Sequence, residues 1–176
     1  MQNPRVTGQR LAEILPLHED LGFVVSRIQH NGETTLATAD SRLALDDIVA
    51  VVGHQAALER AHHLFGDPAK VQIERDRNVL DYRRVFVSSR DCVGKRIGDL
   101  NLPEQLSATI TRLRRRDLDF VPNPSTRLEF GDRIRVLTSP ANFAAVSQFF
   151  GDSIRGTAEI NFGSVGFGMT LGVYSA

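Results

Sequence analysis

Apolar residues fall in short runs separated by glycine, proline, asparagine and aspartate, and the spacing within each run distinguishes strand from helix. In the C-terminal half, Val85-Phe86-Val87 is β-branched and aromatic and reads as a strand. Between Gly94 and Leu100, Ile97 and Leu100 stand one helical turn apart. Ala108 to Leu113 reads as a second strand. Leu118 to Val121 reads as a short third, because Pro122 and Pro124 cannot donate to a ladder. Gly131-Asp132 marks a turn, and Arg133-Ile134-Arg135-Val136-Leu137 alternates as a strand with one wet face does. Ser139-Pro140 supplies an N-cap and a first-position proline. Phe143, Val146 and Phe149 or Phe150 then form a helical stripe that Gly151 ends.

The N-terminal half repeats this order. Leu11 and Ile14 mirror Ile97 and Leu100, Phe23 to Ile28 is a strand, and Ile48 to Val52 follows the Asp46-Asp47 turn as another. Leu58, Ala61, Leu64 and Phe65 line a helix that Gly66 stops. Identical residues recur at a fixed distance: Arg27 and Arg112, Arg42 and Arg127, Asp47 and Asp132, Gly66 and Gly151 (112 − 27 = 85), with no gap from Val24 to Asp67. A repeat of this length is a small domain rather than a solenoid unit. The fold expected is α+β: two small β-α-β-β-β-α domains, residues 1–68 and 85–155, with antiparallel strands covered by helices. Residues 69–84 read as a polar linker.

From 156 to 176 the chain turns apolar and glycine-rich, and Ile160 to Ala176 carries no charge. Those 17 residues fall just short of the roughly 20 that cross a bilayer. They read either as a flexible tail or as the truncated start of a transmembrane helix.

Composition narrows the function classes. Formal net charge is zero over 176 residues, so no global field recruits nucleic acid, and no aromatics are interleaved with the basic run. Cys92 is the sole cysteine, which excludes an internal disulfide or a cysteine zinc site. There is no GxSxG, no HExxH and no strand–glycine loop–helix element that resembles a phosphate cradle. His62 and His63 are adjacent on a helix and point about 100° apart, so they do not clasp one metal. No catalytic residue, metal site or cofactor is expected, and the chain does not read as an enzyme.

Arginines are the remaining candidates. Arg112, Arg114 and Arg116 would share one face of a strand. They form either a solvated strand end balanced by Asp117 and Asp119 or a rim for a phosphate or carboxylate. The equivalent pairs Arg27/Arg112 and Arg42/Arg127 either pair with Asp47 and Asp132 to fix the turns or line a cleft between the repeats. Arg112, Arg114, Arg127, Arg27 and Arg42 are therefore the candidate ligand-binding residues.

Three segments of the second half, Val93-Gly94-Lys95-Arg96-Ile97-Gly98-Asp99-Leu100, Ile110 to Arg115, and Pro122-Asn123-Pro124-Ser125-Thr126-Arg127-Leu128-Glu129-Phe130-Gly131-Asp132-Arg133-Ile134-Arg135-Val136, resemble the TrkA C-terminal domain, also called RCK_C. The first half departs from it, with Asp46 where Gly131 stands and Ala37 and Ala39 in place of Pro122 and Pro124. Two such units followed by a glycine-rich apolar tail resemble the cytoplasmic insert of the aspartate–alanine exchanger family and related permeases. The resemblance implies a regulatory, ligand-binding module of a bacterial membrane transporter of ions or amino acids, at the cytoplasmic face of the inner membrane. Its implied partners are the transmembrane domain of the same protein, a second copy in a homodimer, and a small anionic ligand, nucleotide or ion. The alternative is a dimerisation scaffold that binds nothing.

Overall fold

A computed structural model describes residues 6–15, 21–69 and 79–151. In chain order the elements are α1 (Leu11–Ile14), β1 (Phe23–His30), β2 (Glu33–Leu36), β3 (Ile48–Gly53), α2 (Gln55–Phe65), β4 (Asp81–Phe86), α3 (Leu102–Leu106), β5 (Ala108–Arg115), β6 (Leu118–Phe120), β7 (Arg133–Thr138) and α4 (Phe143–Phe150). They build two antiparallel sheets, ordered β2-β1-β3 and β4-β7-β5-β6, so the fold is α+β as expected. The central strand of the first sheet, β1, matches β5 of the second, and β2 and β3 match β6 and β7.

The two halves share bonds as well as element order. In both central strands the ladder slips at one place, between Val25 and Arg27 and between Ile110 and Arg112. At each slip a buried hydroxyl bonds the neighbouring strand: Ser26 Oγ donates to Ala50 O at 3.0 Å, and Thr111 Oγ1 donates to Arg135 O at 3.1 Å. A bulge adds one residue and shifts the alternation of faces. Phe23, Val25 and Ile28 therefore enter one core, and Ala108, Ile110 and Leu113 the other. Val24 and Arg27, and likewise Thr109 and Arg112, are left on the outer face. Positive backbone φ recurs too, at Asn31 (49°) and Arg116 (54°) and at Asp46 (68°) and Gly131 (91°). Asp46 thus holds the left-handed turn that glycine takes in the other half, a conformation aspartate tolerates better than most residues.

Each sheet packs its inner face on a closing helix. Val146 and Phe150 of α4 enter the core of the second half, and Ala57, Ala61 and Phe65 of α2 that of the first. The carbonyl of Phe150 accepts from the Ser88 and Ser89 N–H groups at 2.8 and 2.9 Å, which satisfies a helix-end group with no partner in its own helix. Gly151 follows at φ +84°, as the expected stop requires.

Four expectations need correction. The strand read at Val85 begins at Asp81, so residues 81–84 belong to β4 and not to a linker: Arg83 and Arg84 pair with Val136 and Arg135. The helical turn read at Ile97 and Leu100 is a short 3-10 turn, Gly98–Leu100, and the helix follows it at Leu102–Leu106, where Pro103 in the first turn gives up no helical bond. Arg116 is a turn residue beyond the end of β5, so it does not share a strand face with Arg112 and Arg114. Among the described residues the first half runs α-β-β-β-α, without a counterpart of β4. Among the described residues the outer edge of β3 has no partner strand, where β4 covers the equivalent edge of β7. The remainder of the expected linker, residues 70–78, and the apolar segment beyond Gly151 lie outside the described residues.

Candidate functional site: a cavity between the two halves

The two halves meet around one cavity of about 220 Å3, lined from both sides by equivalent segments. Ala37-Thr38-Ala39 faces it from the first half and Pro122-Asn123-Pro124 from the second, and Val24 and Thr109 line it from equivalent places on β1 and β5. Leu11, Leu15 and Phe23 complete an apolar wall on the first side.

The same local bonding holds both lining loops. Thr38 N–H donates to Ser41 Oγ at 3.0 Å, and Asn123 N–H donates to Thr126 Oγ1 at 3.1 Å. Each loop is also tied to the preceding helical turn: Ala12 N–H reaches Ala39 O and Gly98 N–H reaches Pro124 O, both at 2.9 Å. Side chain–backbone turns of this kind fix a loop without burying it in a ladder. The cavity walls are therefore preformed rather than dependent on a ligand for shape.

One polar atom there stands out. Thr109 Oγ1 is buried and has no hydrogen-bond partner. Leaving a buried hydroxyl unpaired costs about 1–3 kcal/mol, which makes Thr109, a residue of the cavity wall, the candidate bonding point for a ligand. Its counterpart Val24 is apolar, so at this pair of positions only the second half carries a hydroxyl. Proline and alanine supply flat, non-bonding walls and Thr109 one hydrogen-bonding point, the usual composition of a small-molecule site.

The five candidate arginines lie elsewhere. Arg42 and Arg127 donate to backbone carbonyls, Gly8 O at 2.9 Å and Gly94 O at 2.6 Å, and so pin the loop before each first helical turn. Arg112 approaches Asp119 at 3.8 Å, and Arg114 Nε donates to Arg116 O at 3.3 Å. Arg27 is buried on the Tyr82 ring, 5.9 Å from its centroid. None of the five lines the cavity. Nor do the repeated arginines bond Asp47 and Asp132, as one reading of the sequence had it. Those aspartates are held by His30, through Nδ1 at 2.6 Å, and by Arg115, through Nε and Nη2 at 2.8 Å each. Both also accept a turn N–H, from Ala44 at 2.7 Å and Glu129 at 2.8 Å. Asp132 and Glu129 together raise the basicity of the Arg115 guanidinium, the hydrogen bond to Asp132 most of all. Arg115 went unnoticed because its equivalent is a histidine. The signal available was the pair of turn aspartates, each of which needs a hydrogen-bonding side chain at the end of the central strand.

Burial pushes the Cys92 thiol up, against a smaller opposing hydrogen bond from Ser89, so it remains a protonated core residue at neutral pH. Among the described residues no group of three histidine, cysteine, aspartate or glutamate side chains is placed to hold a metal. No helix among them is long and apolar enough to cross a membrane.

A bulged antiparallel sheet closed by one helix, with a proline-flanked loop at the seam, defines the second half as a small α+β domain. The segment from Tyr82 to Gly151 matches the TrkA-C domain family, and this half of the chain is a TrkA-C domain. Nearly the whole chain is similar to larger proteins. It is 37% identical over 166 residues to an uncharacterized transporter of Geobacter sulfurreducens, covering 94% of this chain and 30% of that protein. It is 39% identical over 175 residues to an uncharacterized transporter of Corynebacterium diphtheriae, covering 97% and 31%. The chain thus spans about 30% of the length of these relatives. Among solved structures, the RCK_C domain dimer of S. agalactiae BusR in complex with c-di-AMP is similar at 27% identity and a TM-score of 0.38, over 41% of this chain and 91% of that one.

Proposed function

We propose that the chain is the regulatory part of a bacterial membrane transporter, built from two copies of one TrkA-C unit (residues 1–68 and 81–155) that bind a small ligand between them. The meeting of equivalent segments around one cavity carries this reading: Ala37–Ala39 opposite Pro122–Pro124, and Val24 opposite Thr109. A site made by two bodies is sensitive to their relative placement. A ligand that binds one arrangement better than another shifts the population of the two, and a transmembrane domain in the same polypeptide reads that shift. The long relatives named as transporters support such a partner, at the cytoplasmic face of the membrane. Nucleotides fit the cavity chemistry best, because a planar base can lie between proline and alanine walls and accept from the Thr109 hydroxyl.

The test is the melting temperature of the 176-residue chain with mono- and dinucleotides, amino acids and monovalent cations. A ligand at 100 times its Kd stabilises by about 2.7 kcal/mol, a rise of roughly 5–10 °C for a chain of this size. The expected result is a saturable rise with at least one nucleotide, weakened about tenfold by Thr109→Val. A flat response to the whole panel, in a chain that still forms a stable dimer, would replace the sensor with the scaffold.

A further inference from the structure

Arg27 is an exception to the way charge is handled in this fold. It lies on the outer face of β1, yet only 8% of it is exposed. It forms no ion pair with a described carboxylate, and its buried Nε has no hydrogen-bond partner. A buried cation without a counter-charge is costly to keep, which makes an unpaired one a marker for a missing anion. The Tyr82 ring, 5.9 Å away, offers a cation–π contact, which neither cancels the charge nor fills the N–H.

A second arginine is on the same ring. Arg135 stands 4.3 Å from the Tyr82 centroid, so the two guanidinium carbons are at most 10.2 Å apart, the sum of those two distances. Arg135 is exposed on β7 and lies in register with Arg84 of β4 and Arg112 of β5. Among described residues neither Arg84 nor Arg135 has an ion-pair partner, and Arg112 has Asp119 only at 3.8 Å. Four arginines from three strands of one sheet and one strand of the other therefore gather with almost no neutralising acid. In a chain whose net charge is zero this is a local concentration of positive charge, not a general one.

We propose that Arg27 and Arg135, with the Tyr82 ring they share, form an oxyanion site at the seam of the two sheets, taking a phosphate or carboxylate group. Guanidinium forks match the oxygens of such groups in pairs. The buried Arg27 supplies a fixed donor, and the exposed Arg135 closes over the anion from the water side. Because Arg27 belongs to β1 and Arg135 to β7, the anion ties the two halves together. This site is separate from the cavity, none of whose lining residues is an arginine.

The experiment uses inorganic phosphate and pyrophosphate as probes, with sodium chloride at matched ionic strength as the control. The expected result is a saturable rise in the melting temperature of the 176-residue chain above the chloride control. Arg27→Gln should abolish the rise, and Arg135→Gln should weaken phosphate binding about tenfold. Should Arg27→Gln fail to fold, Arg135→Gln decides, since an exposed side chain is replaced without disturbing the core. No rise above the control, or equal affinity in wild type and Arg135→Gln, overturns the proposal. Thr109→Val should leave the phosphate response intact; if it removes the response, the anion sits in the cavity and the seam site is wrong.

Discussion

Arg115 grips Asp132 with two guanidinium nitrogens, each 2.8 Å from a carboxylate oxygen, at the place where His30 holds Asp47 in the other half. Asp132 is 1% exposed and also accepts the Glu129 N–H, so the pair fixes the turn that feeds β7. Removing one partner of a buried pair strands the other charge and costs about 3–5 kcal/mol. Arg115→Ala is therefore expected to lower stability by about 3 kcal/mol in urea unfolding. His30→Ala should cost nearer 1 kcal/mol, because that imidazole is more than half exposed and water replaces it. Equal losses at the two sites would mean that the turns are held by something other than these side-chain contacts.

Thr109 makes a prediction of the opposite sign. In the ligand-free chain its hydroxyl is buried without a partner, so Thr109→Val removes a desolvation penalty at almost constant volume. The variant should be more stable than wild type by about 1 kcal/mol. Destabilisation instead would show that the hydroxyl is already bonded and that the cavity lacks its polar point.

Gly151 and Gly94 separate backbone strain from steric clash. Both have positive φ, +84° and +83°. A Cβ on Gly151 would meet Ser88 Oγ at 2.5 Å and Ser89 N at 2.7 Å, whereas a Cβ on Gly94 meets nothing within 4 Å. Gly94→Ala should cost about 1 kcal/mol, the conformational part alone. Gly151→Ala should cost roughly 3 kcal/mol or more, as expected where a clash adds to strain at a special φ. Urea titration of both variants against wild type checks the ordering.

Cys92 reports on the second core by pH. Its folded thiol is raised above the ordinary value by burial, so the fold favours the protonated form. That contribution is complete below the unfolded thiol value and is lost as pH rises towards the folded one. Stability should decline in mildly alkaline buffer, and Cys92→Ala should flatten the decline. Thiol labelling of the native chain should be slow and should accelerate with the unfolding of this core.

Much of this fold is legible in the residues. Strands at Phe23, Ile48, Ala108 and Arg133 follow from alternation and β-branching, and Gly66 and Gly151 mark where helices end. The step of three between Val25 and Ile28, and again between Ile110 and Leu113, is the trace of each bulge, although period-2 reading passes over it. The site was harder to see, for a physical reason. Searching the repeat for identical residues selects side chains that do the same structural job twice, and Arg42 and Arg127 duly cap the same loop. The cavity instead depends on positions that differ between copies: Ala37 against Pro122, Ala39 against Pro124, Val24 against Thr109. A hydroxyl becomes a binding point only where its neighbours leave it unpaired, and that is a property of packing.

Amide spectra of the 176-residue chain, titrated with mono- and dinucleotides, test the shared cavity most directly. A ligand bound between the halves should move Thr38, Thr109 and Asn123 together, along one saturable curve. Shifts confined to one half, or none at these three residues with any nucleotide, would contradict it.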